Sequence, residues 1–237
     1  MKKEGFLWDI LYPGRCAVCD RVLKRGEYGV CTHCTPLPQK IEGDICMKCG
    51  RPVPGEGVIC SRCEKGENTF CEGRSSFLYD RYMRRSISFF KYKGRQEYAS
   101  YYASVLDEMF REKVEAWGAE ALVPVPVHAE RLRKRGYNQA ALIAGELGRK
   151  NGLPVYDLLL RNRKTIPQKE LSDKERLKNL CNAFSVNKEV WELSKRIKCV
   201  IIIDDIYTTG STIEACSRTI KTLGIQKIYF LCVCTSQ

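Results

Sequence analysis

Cys199-Val-Ile-Ile-Ile-Asp204-Asp205-Ile-Tyr-Thr208-Thr209-Gly210-Ser211-Thr212 is the stretch that decides the fold. Residues 200–203 form the most strongly β-branched run in the chain, which suits a buried strand. That run ends on two carboxylates, Asp204 and Asp205. Four hydroxyl residues (Thr208, Thr209, Ser211 and Thr212) then surround Gly210, and a helical pattern opens at about Ser211. Ligands of open α/β sheets bind at the carboxyl ends of the strands. A turn at that edge offers backbone N–H groups, hydroxyls and a glycine that permits close approach, and the positive end of a helix starts beside it. Phosphate is expected in the turn, with the carboxylates meeting hydroxyls of an attached sugar. No Gly-Lys-Ser/Thr follows, so this is not a Walker A loop. A mere buried strand with an acidic cap would not need the whole arrangement.

Working outward, strand and helix patterns alternate. Strands are expected over residues 75–82, 121–127, 155–160, 184–187, 200–203 and 227–234. Helices are expected over 83–92, 96–117, 138–151 and 211–223, with Gly224 closing the last. Such alternation implies a parallel sheet with helices on both faces. A highly charged segment from Arg161 to about Asn182 interrupts it.

Upstream of residue 72 the composition changes to cysteine, glycine and proline with weak periodicity. Nine of the 14 cysteines fall there, and eight form Cys-x-x-Cys pairs: Cys16/Cys19, Cys31/Cys34, Cys46/Cys49 and Cys60/Cys63. Two residues between cysteines let a tight turn aim both sulfurs at one point, and two such turns complete a tetrahedral zinc site. Eight ligands make two structural zinc ions, with sequential or interleaved pairing both open. Redox thiols and an iron–sulfur cluster are the competing readings. Gly50 fits a zinc knuckle that needs positive φ. His33 lies inside a complete pair and reads as a bystander, and Cys71 as packing. Cys181, Cys199, Cys216, Cys232 and Cys234 lie in apolar contexts and read as small buried hydrophobes.

At 237 residues, 44% apolar, the chain suits a medium domain plus a small one, and wholesale disorder is excluded. No run approaches the ~20 apolar residues that span a bilayer. Asp9, Pro13 and Arg15 interrupt any apolar stretch after the basic start. The expectation is a cytoplasmic protein without a signal peptide or membrane span. A net charge of +12 favours polyanions, whether nucleic acid, phosphate-rich metabolites or anionic lipid, without choosing among them. Arg131, Arg133, Lys134 and Arg135 make a dense cationic run that suits pyrophosphate, a nucleic-acid backbone or a solvated turn. Lys91, Lys93 and Arg95 around Tyr92 form a second basic–aromatic group able to stack a base, or simply a helix end with solvated lysines. Arg161, Arg163 and Lys164 read as the stem of a charged loop.

The 199–212 turn resembles the phosphoribosyl pyrophosphate (PRPP) loop of type I phosphoribosyltransferases, and the whole chain resembles the ComF family of late-competence proteins. The resemblance extends to the cysteine-rich start, Val123-Pro-Val-Pro126 with His128, Arg135-Gly-Tyr-Asn-Gln139, and Pro167-Gln168 through Ala183-Phe184. It implies a double zinc-ribbon domain over 1–73 and a type I phosphoribosyltransferase fold over 74–237. It further implies that Asp204 and Asp205 hold the ribose hydroxyls and Thr208 to Thr212 the 5-phosphate. Val127 and His128 would face pyrophosphate with Mg²⁺, and residues 164–182 would form a hood. The family is associated with natural transformation. Two function classes follow: a PRPP-binding protein that handles single-stranded DNA alongside other competence or DNA-processing proteins, with Lys91, Lys93, Arg131, Arg133, Lys134 and Arg135 as the DNA contacts, or an enzyme transferring ribose 5-phosphate from PRPP to an unknown acceptor.

Overall fold

A computed structural model of the chain describes residues 13–66, 68–162, 183–190, 192 and 195–236. Residues 164–182, read as a hood, and Cys181 lie outside them.

The long β-branched run becomes the centre of the sheet. Strand β5 (Cys199–Tyr207) lies beside β6 (Lys227–Thr235), with β1 (Glu72–Leu78) and β2 (Ala121–Pro124) on the outside. The four-stranded order is β1-β6-β5-β2, and all three pairings are parallel. Alternation along β5 divides the core. Val200 and Ile202 face one apolar cluster, and Ile201 and Ile203 the other. Each fully buried side chain of this size contributes roughly 1.5–3 kcal/mol.

The second of those faces is covered by three helices, α2 (Arg81–Tyr92), α3 (Tyr98–Trp117) and α5 (Gln139–Asn151). Helix α2 starts where the sequence predicts a strand to continue. Asp80 accepts hydrogen bonds from the Tyr82 and Met83 N–H groups and ends β1 early. The opposite face carries α6 (Ser211–Lys221) and the second cysteine quartet.

Two more corrections concern short elements. The cationic run is helical, as α4 (Ala129–Arg135), with His128 as its cap and Gly136 as its αL stop. The strand expected at 155–160 touches the main sheet only at its start, and that expected at 184–187 does not join it. They shrink to β3 (Leu159–Arg161) and β4 (Phe184–Val186), a separate antiparallel pair, while Val155 makes one bridge to Leu122. The pair still contributes Leu159 and Phe184 to the apolar cluster that lies under α6. A short helix, α1 (Ser61–Lys65), carries Cys63 in the cysteine-rich region.

Candidate functional site

The eight cysteines gather as Cys16, Cys19, Cys31 and Cys34, and as Cys46, Cys49, Cys60 and Cys63. The pairing is therefore sequential. In each quartet the sulfurs lie within 4.8 Å of one another, with Cys19–Cys31 at 3.9 Å and Cys49–Cys60 at 3.8 Å. A tetrahedron with zinc–sulfur bonds of about 2.3 Å has sulfurs about 3.8 Å apart, so each quartet fits one zinc ion and is too tight for a multi-iron cluster. Four thiolates leave no position for a substrate, so the metal's role is structural. The two quartets repeat one plan. Cys16 N–H bonds the Arg21 carbonyl and Cys46 N–H that of Arg51, while Cys31 and Cys60 donate N–H to the Cys16 and Cys46 sulfurs. The residue after the second cysteine has positive φ in both: Asp20 at 64° and Gly50 at 68°. Cys199, Cys216, Cys232 and Cys234 are buried as expected, whereas Cys71, expected to pack, is exposed. Its backbone N–H, bonded to the Ile228 carbonyl, holds the chain at the sheet edge while the thiol faces solvent.

The quartets clamp the α/β domain at different places. Asp20 receives Arg95 and the Tyr98 hydroxyl, and Ser86 donates to the Ala17 carbonyl, so the first quartet is tied to α2 and α3. The second quartet sits against β1 and the turn after β5. A Cβ on Gly50 would lie 2.6 Å from the Gly73 carbonyl oxygen, which leaves glycine as the residue that fits.

At the carboxyl edge of β5, Asp205 is buried at 8% exposure and Asp204 is half-buried. Asp204 also accepts the Asp205 N–H at 2.8 Å. Lys91, from the last turn of α2, reaches both Asp205 oxygens at 2.8 and 2.7 Å. Burial, then the neighbouring Asp205 charge, pushes the Asp204 carboxyl up to about 7, against the pull of Lys91. Burial draws the Lys91 ammonium down, but Asp205 and Asp204 outweigh it and hold it above its ordinary value. Arg161, at the end of β3, acts on Asp204 and feels Arg131. Two carboxylates are thus embedded among cations.

The turn that follows is open to an anion. Gly210 is the N-cap of α6 at φ 83°, and the Thr209 hydroxyl accepts the Ser211 N–H at 3.4 Å. Thr209 and Ser211 hydroxyls meet at 2.8 Å, and Thr208 is exposed. A Cβ on Gly210 would stand 2.6 Å from the Tyr207 hydroxyl. Thr212 lies in the first turn of α6. Backbone N–H groups and hydroxyls at a helix start suit phosphate. The Val125 N–H bonds the Ile203 carbonyl, so Val127 and His128 leave β2 beside the Asp204–Asp205 edge. The His128 Nδ1 accepts the Glu130 N–H at 3.3 Å, which makes the imidazole the cap of α4.

The basic–aromatic group from the sequence comes apart. Lys91 turns to Asp205, and Arg95 to Asp20, leaving Lys93 exposed. Tyr92, at 68% exposure, instead meets Arg135, whose guanidinium lies 4.9 Å from the ring centroid. Arg131, Arg133 and Lys134 are exposed on the same α4. Sequence reasoning missed Arg51, Arg62 and the inward role of Arg161. The Arg51 and Arg62 guanidiniums both donate to the Thr208 carbonyl. Gly50 was the signal that a knuckle turns there, but nothing local names its partner.

The comparisons agree with this architecture. Residues 7–64 match the model of a double zinc ribbon domain. Over 208 residues the chain is 32% identical to Competence protein ComFC of Bacillus subtilis, spanning 85% of this chain and 82% of that one. It is 30% identical to Competence protein F of Haemophilus influenzae over 220 residues, 90% and 93% of the two chains. DNA utilization protein YhgH of Escherichia coli is 27% identical over 226 residues, 94% and 97% of the two. A double zinc ribbon ahead of a type I phosphoribosyltransferase-like sheet, with such identity along most of both lengths, makes the chain a member of the ComF family of competence proteins.

Proposed function

We propose that this chain binds a ribose 5-phosphate ligand of the PRPP class at the Asp204–Thr212 edge and handles single-stranded DNA in the cytoplasm during DNA uptake or use. The observation that carries the pocket is the glycine-capped, hydroxyl-lined start of α6 a few residues after the Asp204–Asp205 pair, beside Lys91 and Arg161. The N–H groups and hydroxyls of Thr208, Thr209, Gly210, Ser211 and Thr212 take the 5-phosphate. Asp204 and Asp205 accept the ribose hydroxyls, and Lys91 fixes Asp205 so that one face of it is presented. The diphosphate runs toward Val127, His128 and the cations of α4. Among the described residues, the groups of three or more clustered metal ligands are the two cysteine quartets. Mg²⁺ would come with the ligand's diphosphate, as magnesium commonly does.

DNA handling rests on the relatives' names and on one surface. Competence protein ComFC and DNA utilization protein YhgH are named for such processes. Here Lys93, Tyr92 and the cations Arg131, Arg133, Lys134 and Arg135 make a cationic face with one exposed ring, the combination that tracks a single strand. Lys91 belongs to the pocket in this reading and not to the DNA surface. The zinc ribbon and the phosphoribosyltransferase-like sheet are the two domains, and the boundary expected between residues 73 and 74 moves ahead of Glu72, because β1 already pairs with β6 from there. Among the described residues no helix is long and apolar enough to cross a membrane.

The test is calorimetric titration of PRPP with Mg²⁺ into the zinc-loaded chain, with and without a short single-stranded oligonucleotide. Micromolar binding, abolished in an Asp204→Asn/Asp205→Asn variant that keeps its fold, is the expected result. Absence of binding, or equal affinity in that variant, refutes the pocket. Pyrophosphate release on adding an acceptor would mark it as catalytic.

A further inference from the structure

The phosphate turn is held from behind by the second cysteine quartet. Arg51 follows Cys49 by two residues, and Arg62 precedes Cys63 by one. Arg51 Nη2 donates to the Thr208 carbonyl, and Arg62 Nη1 donates to the same oxygen at 3.4 Å. Arg51 is 8% exposed, and its guanidinium lies 5.6 Å from the centroid of the Tyr207 ring. That ring stacks on Phe230 at 4.7 Å, in the sheet core. The knuckle that carries Arg51 is fixed in turn. Gly50 N–H bonds the Cys46 carbonyl at 2.8 Å, Cys46 N–H bonds the Arg51 carbonyl at 2.7 Å, and Gly50 is pressed against Gly73.

A trans peptide is planar, with its C=O and N–H pointing in opposite directions. Two guanidinium donors on the Thr208 oxygen therefore aim the Thr209 N–H away from the ribbon, to the other side of the turn. The reverse orientation would present a carbonyl oxygen to a phosphate oxygen, two like partial charges.

We propose that Arg51, supported by Arg62, is a positioning residue that sets the Thr208–Thr209 peptide for an anion, and that the metal loading of the second quartet thereby governs ligand affinity. The proposal rests on the reading of residues 204–212 as a ribose-phosphate site. Linkage makes it reciprocal: a ligand in the turn tightens the metal at the second quartet and leaves the first unaffected.

The experiment uses full-length zinc-loaded chain carrying Arg51→Ala, Arg51→Lys or Arg62→Ala, with PRPP and Mg²⁺ as the probe. Elemental analysis is expected to give two zinc ions per chain in each. Affinity falls tenfold or more in Arg51→Ala. Lysine does not restore it, because a point ammonium cannot both cover the Tyr207 ring and reach the carbonyl as a planar fork does. The exposed Arg62→Ala loses two- to fivefold. In wild type, PRPP slows chelator release of one of the two zinc ions several-fold, and Arg51→Ala removes that protection. A ligand-free readout stands beside these: amide exchange over residues 208–212 accelerates at least tenfold in Arg51→Ala, without change around the first quartet. Should wild type take up no PRPP, the pocket reading fails, and exchange alone judges the positioning role. Unchanged exchange in 208–212, wild-type affinity in both alanine variants, or zinc release indifferent to PRPP each overturns the proposal. If Arg51→Ala sheds zinc or unfolds, Arg62→Ala decides by the same two readouts.

Discussion

Asp204 carries a carboxyl where its surroundings oppose the charge that the proposed ligand would need. Its carboxyl is pushed up to about 7 by burial and by Asp205. The displacement from 3.8 corresponds to roughly 4 kcal/mol between the two protonation states. The sign follows from where the proton sits. Between pH 4 and 7 the folded chain holds a proton that the unfolded chain releases, so the ligand-free protein loses stability as pH rises through that window and gains it on acidification. Asp204→Asn removes the charge that has to be buried. It is expected to be more stable than wild type by about 2 kcal/mol at pH 8, water relaxing into the pocket offsetting the rest, and the gap is expected to close toward pH 5. Urea denaturation of ligand-free protein at the two pH values checks this, and a gap independent of pH sinks it. The same variant loses PRPP. Gly210 is the counterpart in the backbone: φ is 83° and the space of a Cβ is filled by the Tyr207 hydroxyl at 2.6 Å. Gly210→Ala should cost about 1–3 kcal/mol and weaken PRPP binding at least tenfold. A variant that binds as wild type would show that the turn tolerates another shape.

At the scale of elements, the two cysteine quartets were legible because spacing is a local property. Cys-x-x-Cys specifies where a sulfur pair points whatever the rest of the chain does, and the choice between sequential and interleaved pairing, like that between zinc and an iron–sulfur cluster, awaited the sulfur positions. The core of β5 was legible for the same reason, although the strand runs on past the expected 200–203 through both aspartates to Tyr207, paired with β6. Short elements were not. The sequence of α4 reads as charge without an apolar stripe, and the structure buries none of its residues, so periodicity had nothing to report. What the quartets do for the α/β domain is an element-scale question. Asp20 is the single non-glycine residue with positive φ among the described residues, and it carries the bonds to Arg95 and Tyr98 at 3.0 and 2.8 Å. Asparagine tolerates the left-handed region as well as aspartate does but brings no charge. Asp20→Asn is therefore expected to keep both zinc ions and to cost about 2 kcal/mol, the toll of leaving Arg95 partly buried without its carboxylate. Elemental analysis with urea denaturation tests it. Lost zinc would make Asp20 part of the knuckle and not the anchor of α2 and α3, and iron in place of zinc would overturn the quartets' assignment.

Over the whole molecule, what the sequence withheld was partnership across long separations. Arg51 and Thr208 are 157 residues apart, and Lys91 and Asp205 114. Neither pair leaves a trace in local pattern, because it is the sheet order that brings α2 and the second knuckle to the same edge of β5. For that reason Lys91 was read with its sequence neighbours as a surface cation when its partner is the carboxylate pair. The net charge of +12 was legible, but its placement was not. The fold sets Arg135 of α4 against Tyr92 and leaves Arg131, Arg133 and Lys134 of the same helix, and Lys93, exposed, so under the proposed function a strand held there would pass close to the proposed ligand. A phosphate backbone on that face displaces counterions, and the logarithm of affinity falls with the logarithm of salt by about 0.7 for each phosphate neutralised on a single strand. Arg133 and Lys134 are exposed on α4, and replacing both with glutamine removes two charges without disturbing the Arg135–Tyr92 contact. The salt slope of single-stranded DNA binding is expected to flatten by about 1.4, with affinity lower at every salt concentration and PRPP binding changed less than threefold. Replacing Tyr92 with alanine should act differently, lowering affinity for a base-bearing strand while leaving the salt slope as it was, because stacking releases no counterions. Fluorescence anisotropy of a labelled oligonucleotide over a salt series separates the two effects. Identical slopes in wild type and the Arg133→Gln/Lys134→Gln variant would mean that the strand does not run along α4, and unchanged affinity in Tyr92→Ala would mean that the exposed ring has no part in holding it.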